Sequence, residues 1–152
     1  ATIGADLICA CVGAHYLYGS PALVIDMGTA TKIMILNSDG AFCGVSIIPG
    51  VYIGLKALAS GTAQLPQISL EAPASVIGRN TVDCMRSGVV FGNASMIDGM
   101  IDRFNEESGI NLKTIATGGL AETIIPHCKH EITLDKDLVL KGLNILYKKN
   151  KQ

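Results

Sequence analysis

The sequence predicts an α/β domain with a mixed sheet and helices on its faces. Short apolar runs bounded by turn residues indicate strands, and longer runs that end at glycine or proline indicate helices. Strands and helices alternate over the second half of the chain, which is typical of this class. At 152 residues the chain has the length of one ordinary domain.

The first half predicts a buried helix followed by an antiparallel meander. A largely apolar stretch ends at Gly19-Ser20-Pro21, and three short apolar runs then follow with turns between them. The strongest turn signal is Asn37-Ser38-Asp39-Gly40, and Pro49-Gly50 ends the third run. The predicted elements are a helix at 6–18, strands at 22–25, 32–36 and 41–48, and a helix at 51–60.

The second half predicts a long helix and then a strand–helix alternation. The long helix begins at Asn80 or Thr81 and ends near Gly109, after an irregular stretch at 61–73. Glycines recur near one of its faces, and because glycine costs roughly 1 kcal/mol relative to alanine in a helix, we expect another helix to pack closely there. These glycines are Gly88, Gly92 and Gly99. The remaining predicted elements are a strand at 113–117, a short helix to 125, a loop at 126–131, a strand at 132–134 and a last helix capped by Asp135.

The composition favours a cytoplasmic protein with an aliphatic core. Apolar residues make up 49% of the chain, and tryptophan is absent. The formal charge is −1 and the one basic block is Lys148-Lys149-Asn150-Lys151, so we expect no nucleic-acid partner. Five cysteines without regular spacing indicate reduced thiols rather than a disulfide framework. The apolar stretch at 7–12 is too short to span a bilayer, so we expect no membrane partner.

The segment Asp26-Met27-Gly28-Thr29-Ala30-Thr31 follows the first predicted strand and has two interpretations. Glycine lets a backbone approach a ligand closely, threonine hydroxyls and turn N–H groups bind phosphate oxygens, and a carboxylate holds a cation. The same segment is typical of a tight hairpin turn, since Asp and Gly favour turns. The residues alone leave both interpretations open.

Three other segments also combine a structural and a functional interpretation. Gly118-Gly119 joins a strand to a helix, where free N–H groups can bind an anion or nucleotide, although such turns are common. Asp6, in Gly4-Ala5-Asp6, is either the N-cap of the first helix or a general base at a cleft. Asn80 or Thr81 caps the long helix or contacts a polar substrate.

The histidines give weaker signals. His127, Cys128 and His130 suggest zinc, but there is no second ligand cluster, so a surface loop is the favoured interpretation. His15 lies on the apolar first helix and is typical of a core or interface histidine. The chain lacks the GxSxG, P-loop and GxGxxG motifs, which argues against the commonest hydrolases, NTPases and dehydrogenases.

Taken in their order along the chain, these segments resemble the type III pantothenate kinases. The segments that carry the resemblance are Gly4-Ala5-Asp6, Pro21–Thr31, Ile48-Pro49-Gly50 with Ala57-Leu58, Leu65-Pro66, Ile77–Thr81 with Ser87-Gly88, Ala116–Ala121, and Leu138–Leu143 with Tyr147 and Asn150. The resemblance is to the second half of that family. We therefore expect 1–152 to form the second of two actin-like ATPase domains, with the N-terminal ATP-loop domain absent from this chain.

The resemblance implies both a fold and a reaction. The implied fold is the ribonuclease H-like domain of the acetate and sugar kinase/actin superfamily. The implied reaction is ATP-dependent phosphorylation of pantothenate to 4′-phosphopantothenate, the first step of coenzyme A biosynthesis. The implied cofactors are ATP, Mg²⁺ with ATP, and a monovalent cation, K⁺ or NH₄⁺. The implied assembly is a homodimer whose pantothenate pocket is completed across the interface.

The resemblance also implies a role for individual residues. The corresponding residues are Asp6 as the proton acceptor, Gly4, Ala5, Asp6 and Thr81 as pantothenate contacts, Asp26 as the cation ligand and Thr29 as an ATP contact. The Gly118-Gly119 turn supplies the other predicted nucleotide contacts.

Several positions depart from the family pattern. Leu7 stands where the family has arginine, and leucine cannot replace the forked donor of a guanidinium. Lys32 and Met34 stand where the family has threonine and aspartate, and Gly44-Val45 replaces a double glycine.

One alternative is therefore a catalytically decayed homologue that acts in dimerisation or regulation. Another is a sugar or acetyl-type kinase of the wider superfamily. The chain alone is expected to be inactive, because half of the ATP site would lie in the other domain.

Overall fold

A computed structural model describes residues 4–61 and 65–151 of the chain. Its elements in chain order are α1 (Ala5–Tyr18), β1 (Ala22–Met27), β2 (Ala30–Leu36), β3 (Phe42–Pro49), α2 (Val51–Gly61), α3 (Thr81–Ser108), β4 (Lys113–Thr117), α4 (Ala121–Ile124), β5 (Thr133–Leu134) and α5 (Leu138–Lys149). A single 3₁₀ turn, Ile125–His127, extends α4 into the segment predicted as a loop. The predicted elements are all present within a few residues of their expected ends. Residues 62–64, which belong to the irregular stretch predicted at 61–73, lie outside the described residues.

The strands form one five-stranded mixed sheet in the order β3-β2-β1-β4-β5. β1, β2 and β3 pair antiparallel, so the predicted meander is confirmed. β4 pairs parallel with β1 on the other side, and β5 pairs parallel with β4. The carboxyl ends of β1 and β4 therefore lie at the same edge of the sheet, since parallel strands end at the same edge.

Helices cover both faces of the sheet, and each face has its own apolar core. The side chains of β1 alternate between the two cores: Leu23, Ile25 and Met27 contribute to one, Ala22 and Val24 to the other. The first core also contains residues of α2, α3 and α4, and the second contains residues of α1 and α5. Every residue of β1 is buried, which explains its nearly continuous apolar run.

α1 packs directly on α5 through small residues. A Cβ built on Gly13 would lie 2.7 Å from the carbonyl oxygen of Leu138, and one built on Gly142 would overlap the carbonyl oxygen of Cys9. Both glycines are buried, so the two helix backbones are closer here than any other residue would allow. The position of α1 on the sheet therefore depends on α5.

The prediction for the start of α5 is wrong in one respect. Its N-cap residue is Asp137, not Asp135. The buried carboxylate of Asp135 instead accepts hydrogen bonds from Tyr18 Oη at 2.7 Å, from Lys141 Nζ at 2.8 Å and from the N–H of Asp137 at 3.1 Å. Asp135 thus ties α5 to the end of α1.

The glycine face of α3 has no close helix neighbour within the described residues. A Cβ built on Gly88, Gly92 or Gly99 would meet no atom within 4 Å. The expected helix contact is therefore not made inside this part of the chain. Among the described residues, every helix is too short or too polar to cross a membrane, α3 included.

The space around two helical glycines, Gly142 in α5 and Gly99 in α3, predicts opposite effects of alanine on stability. In the complete protein, Gly142→Ala should lower the free energy of unfolding by about 1–3 kcal/mol, because the new methyl group overlaps the α1 backbone. Gly99→Ala has open space at its Cβ and should be neutral or stabilising by up to roughly 1 kcal/mol, since alanine favours helix. Urea denaturation of both variants measures the difference. Equal stability of Gly142→Ala and the wild type would contradict the close approach.

The Asp135 cluster predicts a pH-dependent contribution to stability. Burial raises the pKa of Asp135, but the hydrogen bonds from Lys141, Tyr18 and the Asp137 N–H outweigh it and hold this pKa below its usual value of 3.8. A depressed carboxyl pKa stabilises the fold above the unfolded-state value, and this contribution is lost as pH falls through the folded-state value. Asp135→Asn should therefore be less stable than the wild type at pH 7, and the difference should shrink as pH falls below 3.8.

The matched control is Asp137→Asn, an exposed neighbour for which asparagine is an equally good N-cap. Urea denaturation across the acid range should show a pH-dependent deficit for Asp135→Asn alone. A deficit that stays constant down to low pH would show that the carboxylate charge is not what stabilises this corner.

Candidate functional site

The two glycine-containing turns predicted as functional lie side by side at one edge of the sheet. The Gly28-Thr29 turn follows β1, and Gly118-Gly119 follows β4. Gly118 has a φ of 101°, and a Cβ built on it would lie 2.6 Å from backbone atoms of Met27. A non-glycine residue at 118 would therefore be strained and would push the turns apart.

The N–H groups after Gly118-Gly119 are mostly used inside the protein. Leu120 donates to the carbonyl oxygen of Met27 at 3.4 Å, and Ala121 donates to that of Gly118 at 3.1 Å. α4 has only four residues. The expectation of free N–H groups at a helix N-terminus is therefore wrong for Leu120 and Ala121, and the turn contributes mainly by letting the chain pass close to β1.

A cleft of about 440 Å³ opens between these turns and α2. It is lined by Met27, Gly28, Thr29, Tyr52, Ile53, Lys56, Gly119 and Leu120. The structure thus brings the predicted nucleotide contacts Thr29 and Gly119 to one cleft. Gly50 lies at the start of α2 and has no room for a side chain, since a Cβ there would overlap the carbonyl group of Thr29. α2, and with it Lys56, is therefore held against the Gly28-Thr29 turn.

The predicted base and the predicted cation ligand are joined by a lysine. Lys32 Nζ lies 2.9 Å from Asp6 Oδ2 and 3.2 Å from Asp26 Oδ2. The Lys32 and Asp26 side chains are 19% and 12% exposed, whereas that of Asp6 is 54% exposed. One ammonium group therefore bridges a nearly buried carboxylate and an accessible one.

The local fold explains this arrangement. Asp26 and Lys32 are directly opposite each other in the antiparallel pairing of β1 with β2, so their side chains point to the same face of the sheet. α1 covers that face, and its first turn carries Asp6. The N-cap of α1 is Gly4 and makes no side-chain cap, so the interpretation of Asp6 as an N-cap is wrong. Gly4 also leaves room for Asp6, since a Cβ at Gly4 would lie 2.5 Å from Asp6 Oδ1.

The bridge shifts the pKa values of Asp6 and Lys32. The hydrogen bond from Lys32 lowers the pKa of Asp6 below its usual value. Burial works to lower the pKa of Lys32, but its hydrogen bonds to Asp6 and Asp26 outweigh burial and raise it. Backbone hydrogen bonds at Leu7 and Asp6 also lower the pKa of Asp6. Asp6 is therefore ionised and Lys32 charged at neutral pH.

Thr81 is not part of this group. Asn80 Oδ1 accepts the N–H of Asp83 at 2.9 Å, so Asn80 is the N-cap of α3 and Thr81 its first residue. Thr81 is exposed, and no hydrogen bond among the described residues links it to Asp6 or Asp26. The structure brings Asp6, Asp26, Thr29 and Gly119 to one edge of the sheet and leaves Thr81 outside that set.

The histidine segment contains ordinary structural contacts. His130 Nε2 lies 2.7 Å from Asp102 Oδ1, and His127 packs edge-on against Phe91. Burial and the charge of Asp98 raise the pKa of Cys128 to about 12, so its thiol stays protonated. Within the described ranges no group of three or more His, Cys, Asp or Glu side chains could hold a metal ion. His15 is half-buried, with Nδ1 2.7 Å from Ser20 Oγ, as expected for a structural histidine.

Two lysines of the site were not among the predicted site residues. Lys32 directly follows the Asp26–Thr31 motif, at a position where the resemblance implies threonine. Its place opposite Asp26 follows from the register in which Met27 pairs with Thr31, with the three residues 28–30 between them. Lys56 lies in α2, and no local sequence pattern marks it as part of the cleft. Thr31, by contrast, is fully buried, and its Oγ1 has no hydrogen-bond partner in the part of the chain that the structure describes.

The five-stranded mixed sheet with helices on both faces is a fold that this chain shares with solved proteins of very different sequence. Over 96% of its length the chain superposes on the activator of 2-hydroxyisocaproyl-CoA dehydratase from Clostridium difficile, solved with bound ADPNP, with a TM-score of 0.53 and 12% identity. The match covers 68% of that chain. At this identity the similarity establishes the fold alone.

The particular family follows from closer relatives. The family model described as type III pantothenate kinase matches residues 1–103, so the chain belongs to the type III pantothenate kinase family. Enzymes of that name from Rubrobacter xylanophilus and Rhodospirillum rubrum are 44% and 40% identical over 97% of this chain. A solved protein from Campylobacter jejuni, assigned to the Baf family of transcriptional activators, is 26% identical with a TM-score of 0.64, covering 98% of this chain and 65% of that one. The chain spans 58% of the length of the two kinases.

The position of Lys56 predicts a role in nucleotide binding. Lys56 lines the cleft with Thr29 and Gly119. If its ammonium group binds a phosphate there, Lys56→Ala should weaken ADP binding to the complete protein about tenfold or more, as expected for a lost charged hydrogen bond. Isothermal titration calorimetry measures the change. The control is Lys113→Ala. Lys113 is an exposed residue at the start of β4, paired with the first residue of β1 and therefore at the opposite edge of the sheet from the cleft. Unchanged ADP affinity in Lys56→Ala would exclude the cleft as the phosphate site.

Proposed function

We propose that this chain is the second domain of a type III pantothenate kinase, and that the complete protein transfers the γ-phosphoryl group of ATP to pantothenate. One observation carries the proposal. The accessible carboxylate of Asp6 and the cleft that contains Thr29 and Gly119 lie at the same edge of the sheet, linked through Asp26 and Lys32. Family membership supports the choice of substrate.

Asp6 is the proposed general base. Its Oδ2 is held by Lys32, which leaves Oδ1 to accept the proton of the pantothenate 4′-hydroxyl as the hydroxyl oxygen bonds to phosphorus. The bond from phosphorus to the bridging oxygen of ADP breaks in the same transfer. A positioned carboxylate contributes typically about 10²–10⁴-fold to such a step. Gly4 keeps Oδ1 accessible, which fits the proposed role of Gly4-Ala5 beside the substrate.

ATP is the proposed phosphoryl donor, with its phosphates in the cleft beside Thr29, Lys56 and Gly119. Lys56 supplies a positive charge and Thr29 an exposed hydroxyl, and both suit phosphate oxygens. Phosphoryl transfer depends mainly on positioning and on stabilising charge, so these groups are of the kind the reaction needs. Mg²⁺ usually binds through one or two carboxylates together with substrate phosphates, so it would arrive with ATP.

The predicted free monovalent cation does not fit at Asp26. The carboxylate is only 12% exposed, and the ammonium group of Lys32 already contacts its Oδ2. No step of the proposed reaction therefore uses a free K⁺ or NH₄⁺ at this point.

Assembly and location complete the proposal. We propose a cytoplasmic homodimer in which Thr81 contacts pantothenate as part of a pocket completed by two subunits. Thr81 is exposed and separate from the Asp6 group, and the glycine face of α3 offers open space for a second helix. Both features suit a pocket shared between two copies.

A non-catalytic accessory role is the second candidate. Leu7 stands beside Asp6, where the resemblance implies an arginine, and it packs on the core formed by α1 and α5. A site without that guanidinium has one fewer donor for a phosphate or carboxylate. Pantothenate and ATP binding without turnover by the complete protein would favour this role.

Replacing the proposed base tests the function directly. With the complete protein, ATP and pantothenate, Asp6→Asn should lower kcat about 10²–10⁴-fold, because the amide cannot accept the hydroxyl proton. The KM for ATP should change little, since Asp6 lies outside the cleft. Formation of 4′-phosphopantothenate measured by mass spectrometry reports the rate.

Asp39→Asn is the matched control, because Asp39 is exposed in the β2–β3 turn away from the site. It should retain wild-type kcat. If Asp6→Asn also retained it, Asp6 would not be the base, and if the wild type formed no product the accessory role would be favoured.

A further inference from the structure

In the proposed reaction Lys32 holds Asp6 in place, and its contact with Asp26 has a further consequence. Its ammonium group makes its two described contacts with the two acidic side chains of the site, Asp6 and Asp26. Its side chain is 19% exposed, so the charge is largely withdrawn from solvent. A partly buried lysine is stable here because both carboxylates compensate for its desolvation.

The charge balance shows what the ammonium group does. Asp6 and Asp26 together carry two negative charges, and Asp26 Oδ1 lies 3.6 Å from the position of a Cβ built on Gly28, which lines the cleft. The phosphates of a nucleotide would add more negative charge. Among the residues that the structure describes, the positive charge that contacts both carboxylates is that of Lys32. Without it the carboxylates would repel each other and the incoming phosphates, and a cation from solution would be needed in its place.

The ammonium group is held in position by the sheet. The pairing of Asp26 with Lys32 across β1 and β2 fixes where the lysine side chain starts, and its contact with α1 fixes where it ends. An ammonium group has three N–H donors. In residues 4–61 and 65–151 two of them are used by Asp6 and Asp26, which leaves one for a ligand.

We propose that the Lys32 ammonium group permanently replaces the free monovalent cation at Asp26, so that this protein works without K⁺ or NH₄⁺. The inference rests on the proposed kinase function. A tethered ammonium carries the same charge as K⁺ or NH₄⁺ and contacts the same carboxylate. Because it is part of the chain, its local concentration does not depend on the salt in solution.

Activity in different salts tests the proposal in the complete protein. With chloride salts at constant ionic strength, wild-type kcat/KM for ATP should differ less than about twofold between potassium and choline. Lys32→Thr removes the charge and should be about tenfold or more slower in choline, with potassium or ammonium restoring activity, because a charge at the reacting groups is worth at least that much. Lys32→Arg keeps the charge and should remain indifferent to potassium.

Lys113→Thr makes the same exchange on a strand at the far end of the sheet and should show no potassium dependence. The proposal is overturned if the wild type requires potassium, or if Lys32→Thr is equally active in choline and potassium.

Thermal unfolding gives a readout that does not need activity. Wild-type Tm in the presence of ADP should be the same in potassium chloride and choline chloride. The Tm of Lys32→Thr should rise with potassium concentration, as expected for binding to the folded state only. A potassium-dependent Tm in the wild type, or none in Lys32→Thr, would contradict the tethered cation. If the wild type phosphorylated no pantothenate in any salt, the proposed function would fail while this measurement still decided the role of Lys32.

Discussion

The mixed pairing of β1 is the constraint on which the site depends. β1 is buried on both faces and pairs antiparallel with β2 and parallel with β4. The antiparallel partner places Lys32 opposite Asp26, and the parallel partner places the Gly118-Gly119 turn beside the end of β1. A sheet with only one kind of pairing would not bring a hairpin and a strand–helix turn to the same edge.

The electrostatics of the site follow from placing a carboxylate at the end of a buried strand. Asp26, whose residue as a whole is 8% exposed, lies in a run of apolar residues, so its negative charge needs a partner. Lys32 is that partner, and its second contact extends the charge compensation outward to Asp6. The Lys32 side chain thus contacts a nearly buried carboxylate, Asp26, and an accessible one, Asp6. Its ammonium group holds Asp6 in position while Asp6 stays exposed.

Much of this structure could be predicted from local sequence pattern. The apolar runs and their turn residues gave the meander, and the Asn80 cap gave the start of α3. Contacts distant in sequence could not be predicted this way. No local sequence pattern shows that Asp135 accepts a hydrogen bond from Tyr18 rather than capping α5, or that Lys56 lines the same cleft as Thr29. The α3 glycines predict a close helix contact that the described residues do not make, because a helix pattern records which face has small residues and not which chain covers that face.

The contact between Gly13 and Gly142 gives the end of the chain an influence on its beginning. The family model matches residues 1–103, which include every acidic and glycine residue of the site except the Gly118-Gly119 turn. Yet α1, which carries Asp6, rests on α5. Residues of α5 that never approach a substrate therefore limit how freely Asp6 can move. In comparisons between relatives, divergence in this last helix would be expected to accompany compensating changes in α1.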